Sequence, residues 1–247
     1  MDRKQIDLNC DLGEGGGNDS QLMQYISSCN IACGGHFGDE ESVARAVDAA
    51  IENGVAIGAH PSYPNKSDFG RKSMEISPSA LKETVYEQIL NVKKATERRN
   101  YTLHHVKAHG ALYHDLNHNQ QLAEAFLGAV AQVDNNLSIY APPQSCLHRL
   151  SKGRITVHVE GFADRAYGEG YYLLPRQFPG SVLTDKVEVA KQALYMIEEN
   201  RVPHSGKTTA TVQFDTLCVH SDNENSLQIL RHLKKELELK KIEMKAL

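Results

Sequence analysis

Three histidines, His36, His60 and His109, each stand where a short apolar run gives way to glycine or proline, and acidic residues accompany them: Asp11 and Glu14 earlier in the chain, Asp164 later. Imidazole takes and gives protons near neutrality, and a neighbouring carboxylate orients it or shares its charge. Lys107 lies two residues before His109, on the same side of an extended chain, and adds a positive charge. The candidates for proton transfer and electrostatic stabilisation are therefore Asp11, Glu14, His36, His60, Lys107, His109 and Asp164. One such histidine alone is more often a satisfied core residue than a catalyst; recurrence at one kind of position is what points to chemistry.

That position is the end of a strand-like run. Asp7, Asn9 and Asp11 alternate along the first, which puts them on one face. The second ends in Cys33-Gly34-Gly35-His36, the third in Gly58-Ala59-His60-Pro61 and the fourth in Lys107-Ala108-His109-Gly110. Later runs end in Glu160-Gly161-Phe162-Ala163-Asp164-Arg165 and in Cys218-Val219-His220-Ser221-Asp222. Asp7, Asn9, Glu160, Arg165, His220 and Asp222 are thus candidates for holding a ligand around the acid–base groups. Gly13, Gly15, Gly16 and Gly17 offer a nest of N–H groups for an anion. They do not complete a dinucleotide fingerprint, because Asn18 replaces its last glycine, and Ser205-Gly206-Lys207-Thr208-Thr209 lacks the leading glycine of a phosphate loop at Arg201. The latter reads as a turn. His104, His105, His114, His118, His148, His158, His204 and His232 fall outside the pattern and read as structural or solvated.

The elements that must position these groups alternate. Strand-like runs cover Ile6 to Cys10, Asn30 to Cys33, Val55 to Ala59, Leu103 to Lys107, Leu137 to Ala141, Ile155 to Glu160 and Thr211 to Val219. Helical periodicity separates them: Val43, Ala46, Val47 and Ala50 behind an Asp39 cap; Leu81, Val85, Ile89 and Val92 behind Ser77-Pro78; Leu122, Phe126 and Val130; Val187, Ala190, Ala193 and Ile197; and Leu227, Leu230, Leu233 and Leu237. Seven strands with crossover helices require a parallel sheet, closed as a barrel or open and doubly wound, whose ligands bind at the strands' C-terminal ends. No repeat or linker divides the chain, so one domain over residues 1–247 is expected.

With 27 Lys and Arg against 31 Asp and Glu, the formal charge is -4, and no basic concentration suggests a nucleic-acid partner. No stretch is apolar enough for a secretion signal or a membrane span. Five cysteines, an odd number without paired spacing, suit reduced thiols in a cytoplasmic protein.

Taken in order, Asp7 to Glu14, Asn30 to Asp39, Gly58 to Pro64 with Phe69-Gly70-Arg71, Lys107 to Tyr113, Phe162 to Tyr167, Pro175-Arg176 with Pro179-Gly180, and Cys218-Val219-His220 resemble the lactam-utilisation family over nearly the whole chain. Ala108, and Ser221-Asp222-Asn223-Glu224, depart from its pattern in two loops. The family's best-understood member is the A subunit of bacterial ATP-dependent 5-oxoprolinase. The resemblance implies a seven-stranded β/α barrel related to polysaccharide deacetylases. It also implies a reaction in which 5-oxoproline, ATP and water give glutamate, ADP and phosphate, with B and C subunits as partners and ATP a co-substrate handled mainly by them. A rival reading is a metal-dependent deacetylase with Asp11, His36 and His60 as ligands; another is a non-catalytic component that only holds a ligand.

Overall fold

The computed structural model describes residues 4–151, 153–169, 171–203 and 211–247. His204 and the Ser205 to Thr209 turn lie outside the described residues. In chain order the elements are β1 (Gln5–Leu12), α1 (Asp19–Leu22), a 3-10 turn (Met23–Tyr25), β2 (Ser28–Ala32), α2 (Glu40–Glu52), β3 (Ala56–His60), α3 (Pro78–Glu97), β4 (His105–Lys107), α4 (Gly110–His118) and α5 (Gln120–Val133). There follow β5 (Ser138–Ala141), α6 (Cys146–Leu150), β6 (Val157–Phe162), α7 (Lys186–Glu199), β7 (Thr216–Cys218), α8 (Ser226–Leu239) and the two-residue β8 (Glu243–Met244).

Strands β1 to β7 are all parallel, each pairing with the next, and β7 returns to β1. The sheet is a closed seven-stranded barrel. Of the two parallel arrangements open to the sequence, closure is the one adopted, and β8 merely extends the outer start of β1 through Gln5 and Ile6. Alternation along each strand sorts the side chains. Ile6, Leu8, Cys10 and Leu12 of β1, Cys29 and Ile31 of β2 and Ile57 of β3 are buried in the apolar layer. Asp7, Asn9 and Asp11 point the other way, into the barrel, where they bond across to β2, β6 and β7. Among the described residues no helix is long and apolar enough to cross a membrane.

The helix caps match the sequence: Asp39 accepts from Ser42 N in a capping box, and Ser77 caps α3 ahead of Pro78. Both satisfy N–H groups that the first turn leaves open. Strand β7 starts at Thr216, later than the expected Thr211; just before it, Asp215 donates its N–H to Val159 O (2.9 Å) and takes the Val159 N–H on its carboxylate (2.7 Å). Helix α4 is not legible in the sequence; His109 caps it without a side-chain bond, and its buried residues are Ala111, Leu112, Tyr113 and Leu116.

Candidate active site

The barrel interior is polar, and its tiers differ. In the lowest, Asp7 is fully buried and accepts hydrogen bonds from Ser27 Oγ (2.6 Å), Ser28 Oγ (2.7 Å) and Thr216 Oγ1 (2.6 Å). Burial raises its carboxyl above the usual value despite these hydroxyls. In the middle tier Asn9 donates to Glu160 Oε1 (2.9 Å) and Thr216 Oγ1 (2.8 Å), while Asn30 donates to Asn9 Oδ1 and Asp11 Oδ1, both at 2.8 Å. With both amide hydrogens spent, Asn30 Oδ1 accepts from His105 Nε2 (2.8 Å). His105 fits because Gly58 has no side chain: a Cβ there would lie 2.2 Å from His105 Nε2. Tyr140 stacks on the other face, centroids 3.9 Å apart.

The upper tier carries the charges. Lys107 Nζ reaches Asp11 Oδ1 (2.9 Å), Glu160 Oε1 (2.9 Å), Cys218 Sγ (3.1 Å) and Asn9 Oδ1 (3.3 Å). Burial opposes its charge, but the carboxylates, Asp11 foremost, hold the ammonium well above its usual range. Burial likewise opposes ionisation of Asp11, yet His60 and Lys107 hold it well below the carboxylate range.

Two imidazoles complete the group. His60 Nδ1 donates to Lys107 O (2.8 Å) and His109 Nε2 to Phe69 O (2.9 Å), because a carbonyl can only accept. Their other nitrogens face each other at 3.0 Å. Asp11 Oδ2 stands 3.4 Å from the His60 nitrogen and Glu14 Oε1 3.2 Å from that of His109. Two lone pairs, or two N–H groups, cannot share that gap, so one proton occupies it. Burial opposes charge on both rings; the Asp11 carboxylate outweighs it at His60, whose value is raised, whereas that of His109 is lowered. The Asp11 carboxylate thus draws that proton toward His60.

Across from this pair, His220 Nδ1 bonds Asp164 Oδ1 (2.8 Å). Asp164 is fully buried and also accepts from His220 N and Asn223 Nδ2, both at 3.1 Å. Burial is outweighed there by His220, and the carboxyl is lowered. A His220 ring nitrogen, an Asp11 oxygen and Cys218 Sγ all lie within 4.8 Å of one another.

A cavity of about 440 Å³ opens over this floor, within the usual range for small-molecule sites. Of the residues expected from sequence, Asp11, Glu14, His60, Lys107, His109, Arg165, His220 and Asp222 line it. Asp7, Asn9, His36, Glu160 and Asp164 are not among its lining residues. His36 donates to Glu14 Oε1 (2.9 Å) and stacks on His109 with centroids 3.6 Å apart; burial lowers it to about 4, so it is neutral. The glycine nest is partly filled from within, since Gly13 N–H donates to Asp19 Oδ2 (2.7 Å). Arg71, Tyr113, His114 and Arg176 also line the cavity, although the strand-end pattern does not mark them as site residues. His114, expected to be structural or solvated, lies in the wall of the cavity. His105 belongs to the polar interior, and its strand parity with Lys107 is a signal the sequence carries.

Two sets of side chains come close enough to suggest a metal: Glu14 with His36 and His109, and Asp11 with Cys218 and His220. Neither fits one as arranged. An ion bound to imidazole lies near the ring plane, and the His36 and His109 planes are parallel within 5° and stacked, so they share no such point. In the second set the Lys107 ammonium already bonds Asp11 Oδ1 (2.9 Å) and Cys218 Sγ (3.1 Å), and so stands in the cation's place. Asp11, His36 and His60 do not form such a set among the described residues.

A family profile described as LamB/YcsF matches residues 6–247. The chain is 38% identical over 248 residues to the 5-oxoprolinase A subunit of Heliobacterium modesticaldum, covering 98% of each. It is 40% identical over 247 residues to that of Shouchella clausii, again covering 98% of each. The solved structure of a lactam utilization protein from Thermus thermophilus superposes with a TM-score of 0.91 at 35% identity, covering 98% of this chain and 100% of that one. The polysaccharide deacetylase Bc1974 from Bacillus cereus superposes at 0.52 with 12% identity, covering 99% and 92%, a likeness of fold alone.

Proposed function

The chain belongs to the LamB/YcsF family, and from that premise we propose that it is the A subunit of an ATP-dependent 5-oxoprolinase, opening 5-oxoproline to glutamate as ATP becomes ADP and phosphate. Full-length relatives at 38% and 40% identity carry that name. The observation that carries the chemical reading is the pair of imidazole–carboxylate dyads, His60 with Asp11 and His220 with Asp164, opening on one cavity beside a buried ammonium.

A lactam carbonyl is stabilised by resonance, so ring opening needs an activated electrophile, a base for water and an acid for the departing nitrogen. Phosphorylation of the amide oxygen by ATP supplies the first; B and C subunits handle the nucleotide, and the assembly is cytoplasmic. His220, its Nδ1 side held by Asp164, takes the proton of the attacking water on Nε2. The carbon–nitrogen bond breaks with its electron pair going to the ring nitrogen, which takes the His60 proton, while the hydroxyl left by the water becomes the acyl carbonyl and gives its proton to solvent. The resulting acyl phosphate yields glutamate and phosphate with a second water. Asp11 keeps the proton on His60, and Lys107 fixes Asp11 while offsetting charge that develops above it. The neutral His36 donates to Glu14 and stacks on His109, holding its ring in place.

The test is a reconstitution: this chain, B and C subunits, 5-oxoproline and ATP, with glutamate measured as each component is left out. Glutamate is expected only from the full mixture. Full-rate formation without this chain would overturn the reading.

A further inference from the structure

The wall facing the acidic floor is cationic, and its three guanidinium groups differ. Arg165, 4% exposed, is committed to the backbone: Nε donates to Ser181 O (3.1 Å) and Nη2 to Leu174 O (2.6 Å). It braces a loop. Arg71, from the loop after β3, and Arg176, from the loop after β6, converge instead on Asp222 in the loop after β7. Arg176 binds both its oxygens (2.9 and 3.3 Å), whereas Arg71 uses only Nη2, on Oδ2 (2.5 Å). Two guanidiniums on one carboxylate leave one positive charge in excess at the cavity mouth.

Arg71 is also held in place before any ligand arrives. It follows two residues with left-handed backbone, Phe69 at φ 52° and Gly70 at φ 63°, and a non-glycine residue seldom adopts that conformation unless its surroundings impose it. Phe69 O accepts from His109 Nε2, and Gly70 O accepts from Ala111 N (2.9 Å). Gly110 is required opposite, since a Cβ there would meet Gly70 O at 2.6 Å. The Arg71 guanidinium lies 5.0 Å from the Phe69 ring centroid. The turn that carries the cation is therefore bonded directly to one of the floor imidazoles.

We propose that Arg71, steadied by Asp222 and Arg176, seats the carboxylate of the substrate, so that the site selects a small lactam bearing a carboxylate beside its ring nitrogen over the uncharged ring. This rests on the function proposed above. A guanidinium matches a carboxylate with two parallel N–H donors, and Arg71 keeps donors unspent by Asp222. The carboxylate end is held at the mouth and the ring carbonyl is directed to the floor.

The experiment is steady-state glutamate formation by the full assembly carrying R71M or R71K, with 2-pyrrolidinone, the ring without its carboxylate, as a competing ligand. R71M is expected to raise the KM for 5-oxoproline roughly 10- to 100-fold with kcat within about threefold and the KM for ATP unchanged. R71K should fall between R71M and the wild type, and 2-pyrrolidinone should inhibit R71M as it does the wild type. An unchanged KM for 5-oxoproline in a folded R71M assembly overturns the proposal. So does a rise in the KM for ATP alone, which would assign Arg71 to a phosphoryl group. A wild-type assembly that makes no glutamate would sink the functional reading itself, an outcome separate from these.

Discussion

Asp7 and Asp11 lie on one strand, on one face, four residues apart, and both are buried, yet they are opposite kinds of carboxylate. Asp7 is surrounded by hydroxyls and its carboxyl is raised by burial. Asp11 is surrounded by an ammonium and an imidazole, is held well below the usual range, and opens on the cavity. The difference is depth: a place closer to the C-terminal rim takes a carboxylate from among hydroxyls to a buried ammonium, an imidazole and the cavity.

Breaking the upper tier should cost most. Lys107→Met leaves Asp11 and Glu160 without their shared cation, and loss of about 3–5 kcal/mol of stability is expected in denaturant titration, together with loss of glutamate formation. Asp11→Asn keeps the shape but removes the charge that holds the proton on His60. Turnover should fall roughly 100- to 10,000-fold, and the alkaline limb of the pH–rate profile should move to lower pH, with folding retained by circular dichroism.

The lower tier should respond in stability instead. Asp7→Asn presents an amide to three hydroxyl donors and is expected to cost about 1–3 kcal/mol at acid pH, with turnover per folded molecule preserved. The pH dependence separates the two aspartates by sign. Asp7, raised in the folded state, stabilises most below its ordinary value of 3.8 and loses that contribution as pH rises through its folded value. Asp11, lowered, contributes above 3.8 and loses its contribution as pH falls toward its folded value. Thermal melts should show Asp7→Asn gaining on the wild type as pH rises from the acid range toward neutrality; a gap that widens instead contradicts the assignment. His105→Phe keeps the Tyr140 stack and the slot beside Gly58 but leaves Asn30 Oδ1 unpaired. About 1 kcal/mol of stability should be lost, a small change readable by denaturant midpoint.

Much of this is legible in the sequence. Alternation places Asp7, Asn9 and Asp11 on one face, and strand ends deliver His60, Lys107, His109 and His220. Which aspartate reaches the cavity is not legible, because depth in a barrel depends on stagger among seven strands, and stagger leaves no local pattern in a chain. His36, Glu160 and Asp164 carry the same strand-end signature as the lining residues but are turned behind them, against Glu14, Lys107 and His220. Arg71 and Arg176 sit in loops more than a hundred residues apart, joined only through Asp222, so spacing could not pair them.

Two imidazole–carboxylate dyads opening on one cavity are tested most directly by kcat for His220→Gln in the reconstituted assembly, followed across pH. A fall of roughly 100- to 10,000-fold is expected, with the alkaline limb, set by His60, retained. A folded variant that turns over at the wild-type rate would contradict the assignment.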